Sequence, residues 1–546
     1  MRQAHHWRSR ASNAQMMEDG NPTQRACTFT LFTPTYNRAD TLERLFHSIQ
    51  QQGRDDFEWL VVDDGSSDGT DRLVSRFADA ASFPVRYLYQ ANAGKHVAFN
   101  HGVREARGEL FLTIDSDDEL THNAIDLLHA AWLDIPEADR DSFTGVTARC
   151  IDQDDRIVGS ERLPSPLDID SATATFVMKM AGERLGFHRT AILRQHPFRE
   201  DLPTRFIPEG RVWLDIARNY KTRFIEDPAR IFHDHREARL SGLDRMQRAW
   251  GDSEYYRFAL RHYAGWWRTT PVEVAKLAIG LRRAEFHLGC REDREELTGL
   301  ARLWAVLATP AAMVAYARDM RVKYGSLGTR LLIARQLCRG KGGRRLSKLL
   351  FRKSIEEENL PVVVHAGGVT LAVDATDPTN CEVLFSPRTA NASVLSYLTP
   401  QARAFRRIAL LGSNVSYAAC RLARIAGSGS TILAIEPTSA QTERTRLSAR
   451  ASYLDQLEAV TVIDPDPQRA RGCQIVHFGD EVTALNWYEA IAALPEITIV
   501  TIEAAAPSTD WSEKLASAGF NLKRVVAGEF SAWERAAPDP RRQDSE

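Results

Sequence analysis

Residues 111–118 read FLTIDSDD. An apolar run ends there in three carboxylates, Asp115, Asp117 and Asp118. Asp and Ser suit a polar turn, because their side chains bond the nearby backbone. Clustered Asp side chains also supply the oxygen ligands that hard divalent cations take. The surrounding sequence has to decide between the two.

Upstream, apolar runs alternate with helical patterns. CTFTLFTPTYNR (27–38) reads as a strand that breaks at Pro34. ADTLERLFHSIQQQ (39–52) follows, with Leu42, Leu45, Phe46 and Ile49 at helical spacing. Asp40 and Glu43 have the spacing of a capping box. FEWLVVDDGSSDGT (57–70) is a second strand running into an acidic, Gly-rich turn, and DRLVSRFADAA (71–81) a second helix. VRYLYQANAGKH (85–96), HVAFNHGVREA (96–106) and ELFLTIDSDD (109–118) read as strand, helix and strand. Such alternation predicts right-handed crossovers and a mainly parallel α/β sheet.

In an open parallel sheet, ligands sit beyond the carboxyl ends of the strands. TPTYNR, VVDDGSSDGT, QANAGKH and DSDD all occupy such ends, so they are expected to share one crevice. Asp63 or Asp64 can accept hydrogen bonds from a nucleobase N–H or a ribose hydroxyl. Asp117 and its neighbours can hold Mn²⁺ or Mg²⁺, which would neutralise a departing diphosphate. Lys95 can add positive charge nearby.

These four stretches, in this order, resemble the family 2 glycosyltransferases of the GT-A fold. The resemblance spans Thr28 to Asp118, with an acceptor half continuing to Arg239. It implies a metal-dependent, inverting transfer of a sugar from a nucleotide-diphosphate-sugar, UDP-linked by expectation, to a hydroxyl of a glycan or lipid-linked acceptor. Carried over by position, the nucleotide-sugar site would comprise Pro34, Tyr36, Asn37, Arg38, Asp63, Asp64, Asn92, Gly94, Lys95, Asn100, Asp115 and Ser116. Asp64 would contact the base, Asp115 the ribose region, and Asp117 the metal. The catalytic base of the family is commonly the first acid of a Glu-Asp pair. In FIPEGRVWLDIARNYK that acid is Glu209, with Gly210 in place of the second, and Asp215 is the next candidate. Trp213 is a candidate for lining the acceptor pocket. A His after the last strand often approaches the metal in this family, which brings in His233 and His235 of RIFHDHREARLSGL.

At 546 residues the chain is too long for one core, so two or more domains are expected. The boundaries read as a disordered tail 1–26, a GT-A domain 27–245, a helical, basic segment 246–354, a second Rossmann-like α/β domain 355–535, and a tail 536–546. From Arg321 to Lys353 there are many Lys and Arg and no acid. That suits peripheral contact with an anionic membrane, or a solvated basic linker. No reader module for nucleic acid accompanies the charge.

The segment Val362–Glu534 resembles FkbM-type S-adenosylmethionine methyltransferases. In RRIALLGSNVSYAACRLARIAGSGSTILAIEP, the resemblance would place the cofactor at Gly412, Asn414 and Glu436. The motif acid of the first turn is missing, Ser416 replaces its last glycine, and Thr501 replaces a later Asp. A degenerate, non-catalytic domain is expected, with a bifunctional glycosyltransferase/O-methyltransferase as the alternative and a nucleotide-binding scaffold without turnover as a third reading.

The 43% hydrophobic and 26% charged composition is that of a soluble globular protein. The seven Cys are scattered with no C-x-x-C pair, which argues for a reducing compartment. MRQAHHWRSRASNAQMMEDG lacks the apolar core of a secretory signal, and no apolar stretch reaches membrane-span length. A cytoplasmic location is expected.

Overall fold

The structure is a computed structural model that describes residues 27–159, 164–233, 245–288 and 299–337, and, between 362 and 535, the elements named below with parts of their connections. The chain divides into two compact units, residues 1–200 with 205–242, and residues 201–204 with 243–546.

The first unit opens with β1 (Phe29–Thr35), α1 (Ala39–Gln50), β2 (Phe57–Asp63), α2 (Thr70–Ala80), β3 (Val85–Tyr89), α3 (Lys95–Glu105) and β4 (Leu110–Thr113). β3, β2, β1 and β4 lie side by side in that order, all parallel. Phe29, Leu31, Trp59, Val61, Leu110 and Leu112 form the core under α1 and α2, which contribute Leu42, Leu45, Phe46 and Phe77. The remaining strands are β5 (Glu119–Leu120), β6 (Phe143–Ile151), β7 (Leu167–Ile169), β8 (Arg184–Arg189) and β9 (Lys221–Ile231). The sheet continues from β4 through β8, β6 and β9 to β5. β8 is antiparallel to β4 and to β6, and β5 and β7 are antiparallel to β9. The sheet is therefore mixed: its amino-terminal four strands are all parallel, and in the rest only β6 and β9 pair parallel. Three further helices pack on this unit: α4 (Ala124–Leu133), α5 (Thr190–Gln195) and α6 (Gly210–Ile216).

Two local expectations change. β1 does not break at Pro34, which pairs with Val62 of β2. β4 accompanies β1 only as far as Phe32, whose carbonyl accepts the Ile114 N–H at 2.8 Å. Beyond it the missing proline N–H has no ladder to break. The start of α1 is not a capping box either. Arg38 is the cap, and the Ala39 N–H donates instead to Asp68 Oδ2 at 2.9 Å, from the turn after β2.

The second unit begins with α7 (Arg245–Tyr263), α8 (Pro271–Leu288), α9 (Gly299–Leu307) and α10 (Thr309–Leu337). Arg257 and Glu285 pair at 2.8 Å in its interior, and Asp319 takes Arg283 and His287. α9 and the first part of α10 meet at a 51° bend, and no single described helix is long and apolar enough to cross a membrane. The basic run beyond Leu337 lies outside the described residues, as do the tails 1–26 and 536–546.

A hairpin of β10 (Val362–Ala366) and β11 (Val369–Val373) precedes α11 (Ala392–Ala402), β12 (Arg407–Leu411), α12 (Ser416–Ala426), β13 (Thr431–Glu436), α13 (Ser439–Ala451), β14 (Leu457–Thr461), β15 (Ile475–Phe478), β16 (Ile499–Ile502), α14 (Thr509–Ser517), β17 (Phe520–Val526) and β18 (Phe530–Arg535). The last sheet runs β14-β13-β12-β15-β16-β18-β17. Its first five strands are parallel, and β18 is antiparallel to both neighbours.

At Gly145, β6 has no room for a side chain against β8. A Cβ there would fall 1.9 Å from the Phe187 carbonyl oxygen, a backbone atom with no rotamer to retreat into. Gly145→Ala is expected to cost about 1–3 kcal/mol, the usual penalty for overpacking. Scanning calorimetry should show the lowered midpoint.

Candidate functional site

The ends of β1, β2 and β4 and the start of α3 converge through hydrogen bonds that local sequence supplies. Asn37, at φ 50°, accepts the Ser67 N–H at 2.8 Å, and its own N–H donates to Ser66 Oγ at 2.8 Å. Asp63 is buried and accepts the Tyr87 hydroxyl at 2.7 Å and the Ser66 N–H at 2.7 Å. Asp64 accepts the N–H groups of Ala93 and Gly94, each at 2.8 Å, and the Gln90 amide at 2.8 Å. Burial raises the Asp64 carboxyl, while those three donors and the nearby Arg205 pull it back down.

Gly94 is a required glycine. Its φ is +101°, and a Cβ would fall 2.5 Å from the Arg205 carbonyl. The turn it makes delivers Lys95 to the carboxylates. Lys95 Nζ lies 2.6 Å from Asp115 Oδ1 and 2.8 Å from Glu209 Oε1. Burial opposes the ammonium charge, but the two carboxylates prevail and raise the Lys95 pKa. Asp115 is correspondingly lowered: burial works against its charge, and Lys95 and Arg230 favour it.

Asp115, Asp117 and Asp118 each offer an oxygen, and those atoms lie within 4.8 Å of one another. An all-oxygen set of this size fits a hard divalent cation. The three are not equivalent. Asp118 is 3% exposed and pairs with Arg230 at 2.8 Å. Burial raises the Asp118 carboxyl, and Asp115 and Asp117 push the same way, against the pull of Arg230. Arg230 also reaches Cys150 Sγ at 3.1 Å and Glu183 at 3.2 Å. Asp117 is more open, with Arg38 at 3.9 Å from its carboxylate and Arg44 bonded to its main-chain oxygen.

The other expected residues divide. Tyr36 is 48% exposed at the end of β1, next to Arg38. Pro34 and Ser116 are buried, and the Ser116 carbonyl accepts the Thr41 hydroxyl at 2.8 Å. Asn92 abuts Gly65, whose hypothetical Cβ would lie 2.9 Å from the Asn92 nitrogen. Asn100 departs from expectation. Its amide donates to the Phe198 carbonyl and to Glu200 at 2.9 and 2.8 Å, and its oxygen accepts the Phe198 N–H at 2.9 Å. It latches α3 to the segment after α5.

Asp215 also departs. It meets His196 at 3.2 Å, Arg218 at 3.1 Å and Arg211 at 3.5 Å. Burial opposes its charge, yet these partners lower its pKa, so it is a poorer proton acceptor than an ordinary Asp. Glu209 immediately precedes α6 and is 41% exposed at its side chain, facing Lys95. Trp213 stacks on His188, ring centroids 4.3 Å apart, and touches Phe99 edge-on. His233 sits on Glu119 at 3.0 Å and faces Gln153, and it is not part of the carboxylate group. His235 lies outside the described residues.

In the second unit, Gly412 keeps a positive φ of +119°, and Asn414 lies outside the described residues. Glu436 is only 1% exposed. It accepts the Thr445 hydroxyl at 2.9 Å, and Thr445 meets Ser416 Oγ at 2.8 Å. The residue that replaces the motif glycine therefore belongs to the network that engages the carboxylate expected to hold a ribose.

Arg230, Arg44 and Arg205 were not among the expected site residues. Arg230 stands three positions before His233, in the stretch singled out for its histidines. Arg230→Met leaves a buried carboxyl without its cation and is expected to cost about 3–5 kcal/mol. Combining it with Asp118→Asn should recover part of that loss of thermal midpoint. Burial holds His188 down to about 4, against an ordinary 6.5. The unfolded chain therefore binds a proton in this window that the folded chain refuses. This contribution to stability is full above pH 6.5 and is lost as pH falls towards 4. Urea titrations of His188→Phe should show a flatter pH dependence across that window.

Residues 30–189 match the model of the family described as "Glycosyl transferase family 2". A GalNAc(5)-diNAcBac-PP-undecaprenol beta-1,3-glucosyltransferase of Campylobacter jejuni is 26% identical over 213 residues, 38% of this chain and 65% of that protein. The putative teichuronic acid biosynthesis glycosyltransferase TuaG of Bacillus subtilis is 34% identical over 91 residues, 16% of this chain and 36% of that protein. The chain thus spans less than two thirds of either relative. Among solved structures, Staphylococcus aureus TarS 1-349 in complex with UDP-GlcNAc overlaps 64% of this chain and 97% of its own at 17% identity. Its TM-score is 0.34. The residues similar to glycosyltransferase family 2 lie in the first unit, with its mixed sheet and carboxylate-rich strand ends.

Proposed function

We infer that this chain is a metal-dependent, inverting glycosyltransferase that moves one sugar from a nucleotide-diphosphate-sugar to a hydroxyl in glycan or polysaccharide synthesis. One observation carries the reading: Lys95 joins Asp115 of the cation-sized carboxylate group to Glu209 of the acceptor half. A departing diphosphate and an attacking hydroxyl need a cation site and a base on the two sides of one reacting carbon, and this arrangement brings both to one place.

Asp115 and Asp117 would hold Mn²⁺ or Mg²⁺, with Asp118 held in place beneath by Arg230. The cation would supply Lewis-acid neutralisation of the diphosphate. Lys95 and Arg38 would add positive charge beside it. Glu209 would accept the acceptor's proton, and its exposure leaves room for that hydroxyl. Asp215, tied to Arg211, Arg218 and His196, is a poorer candidate for the base. The undecaprenyl-linked substrate in the name of the Campylobacter jejuni relative makes a lipid-linked acceptor the first class to test. The second unit is assigned no methyl transfer, because Glu436 is buried and bonded to Thr445.

Calorimetric titration with UDP is expected to show binding that requires Mn²⁺. Asp117→Asn should weaken it by at least the roughly 10–100-fold that losing a supporting partner of a metal ligand costs. Glu209→Gln should keep nucleotide binding and lower turnover about 10²–10⁴-fold, the usual contribution of a general base. Metal-independent binding, or turnover that survives Glu209→Gln, would overturn the assignment. GDP and dTDP follow in the same cell if UDP does not bind.

A further inference from the structure

α9 and the start of α10 bury one side and expose an apolar other side. Ala301, Ala305, Ala308, Ala312, Tyr316 and Met320 are buried. Opposite them, Leu300, Leu303, Val306 and Leu307 are 37%, 53%, 62% and 63% exposed, and Val314 is 72% exposed. At 100° per residue, positions 300, 303, 306 and 307 fall on one face of α9, and 301, 305 and 308 on the other. The same alternation continues along α10. Val314, Arg318 and Arg321 share the face opposite Ala312, Tyr316 and Met320, and Val322 borders it, 81% exposed. Scattered surface leucines need no explanation, but a continuous stripe of them does.

The charged side chains exposed along the described part of these two helices are basic. Arg302, Arg318, Arg321 and Lys323 are exposed. Between residues 297 and 355 the one acid in the sequence is Asp319, which Arg283 and His287 occupy. An aliphatic stripe that shares its helices with exposed cations fits the boundary between acyl chains and anionic headgroups. It does not fit nucleic acid, whose phosphates reward the cations and nothing in the stripe. Nor does the pair suit a span, since its alanine face is already packed against protein and the helices bend by 51°.

We propose that the α9–α10 face docks flat on an anionic lipid bilayer, with Leu300, Leu303, Val306, Leu307 and Val314 in the acyl boundary and Arg318 and Arg321 on the headgroups. This surface lies outside the glycosyltransferase site and does not depend on the reading proposed for it.

The test is co-sedimentation of the full chain with vesicles of phosphatidylglycerol and phosphatidylcholine in equal parts, against phosphatidylcholine alone. Binding is expected only with the anionic vesicles and should weaken as salt rises. Leu303→Glu with Leu307→Glu should lower partitioning about tenfold or more, since each leucine loses its burial in lipid. Leu303→Ser with Leu307→Ser is the milder pair if the first does not fold, judged by circular dichroism. Arg318→Glu with Arg321→Glu should also weaken binding. No sedimentation with anionic vesicles would overturn the proposal. So would binding indifferent to both leucine pairs, which would place the contact elsewhere. A concentration-dependent dimer abolished by the leucine substitutions would overturn it too, assigning the face to a second copy.

Discussion

Three carboxylates whose oxygens lie within 4.8 Å repel one another, and the site is built around that repulsion. Each acid has its own counter-charge at its own depth. Arg230 is buried beneath Asp118, Lys95 sits against Asp115, and Arg38 stands off from Asp117 at 3.9 Å. Buried, close pairs resist screening, whereas a looser, part-exposed one gives way to a better cation. The gradient runs from fixed to replaceable, and the replaceable end lies at Asp117. A site that must hold a charged ligand and then release it needs that inequality.

The turn before α3 makes the gradient possible. The Asp64 carboxylate collects two backbone N–H groups that the left-handed conformation at Gly94 turns towards it. This fixes the first residue of α3, and that residue is Lys95. A carboxylate ending one strand thereby positions the cation that answers a carboxylate beyond another. Lys95 then meets Glu209, which immediately precedes α6.

How much of this was legible in the sequence follows from range. The strands, the helices and the convergence of four polar ends were readable because each carried its own local signature. The acidic turn after β2 and the Asp run after β4 are short-range patterns. Arg230 was not readable, because it meets Asp118 across 112 residues and nothing local marks it. Asn100 looked like a ligand contact because it follows NAGKH, yet its partners lie 98 and 100 residues away. Asp215 looked like a base until Arg211, Arg218 and His196 were in place around it. Pro34 looked like a strand breaker because the end of the neighbouring β4 ladder cannot be seen in a single strand. The departures in the second unit were visible as residue types. That Ser416 and Thr445 would tie up Glu436 required the packing of α12 on α13.

The Asn100 latch has a consequence for re-engineering the chain. α3 is held at its start by the fit of Gly94 under Arg205, and one turn and a half later by Asn100 on Phe198 and Glu200. The stretches around Phe198 and Arg205 therefore act as a splint for the helix that presents Lys95. A chimera that borrows residues 190–231 from a relative would import a foreign splint. The placement of Lys95 would then change with no residue of α3 touched, unless the graft preserves the backbone path at Phe198 and Arg205. The practical cut points for domain shuffling lie outside that pair.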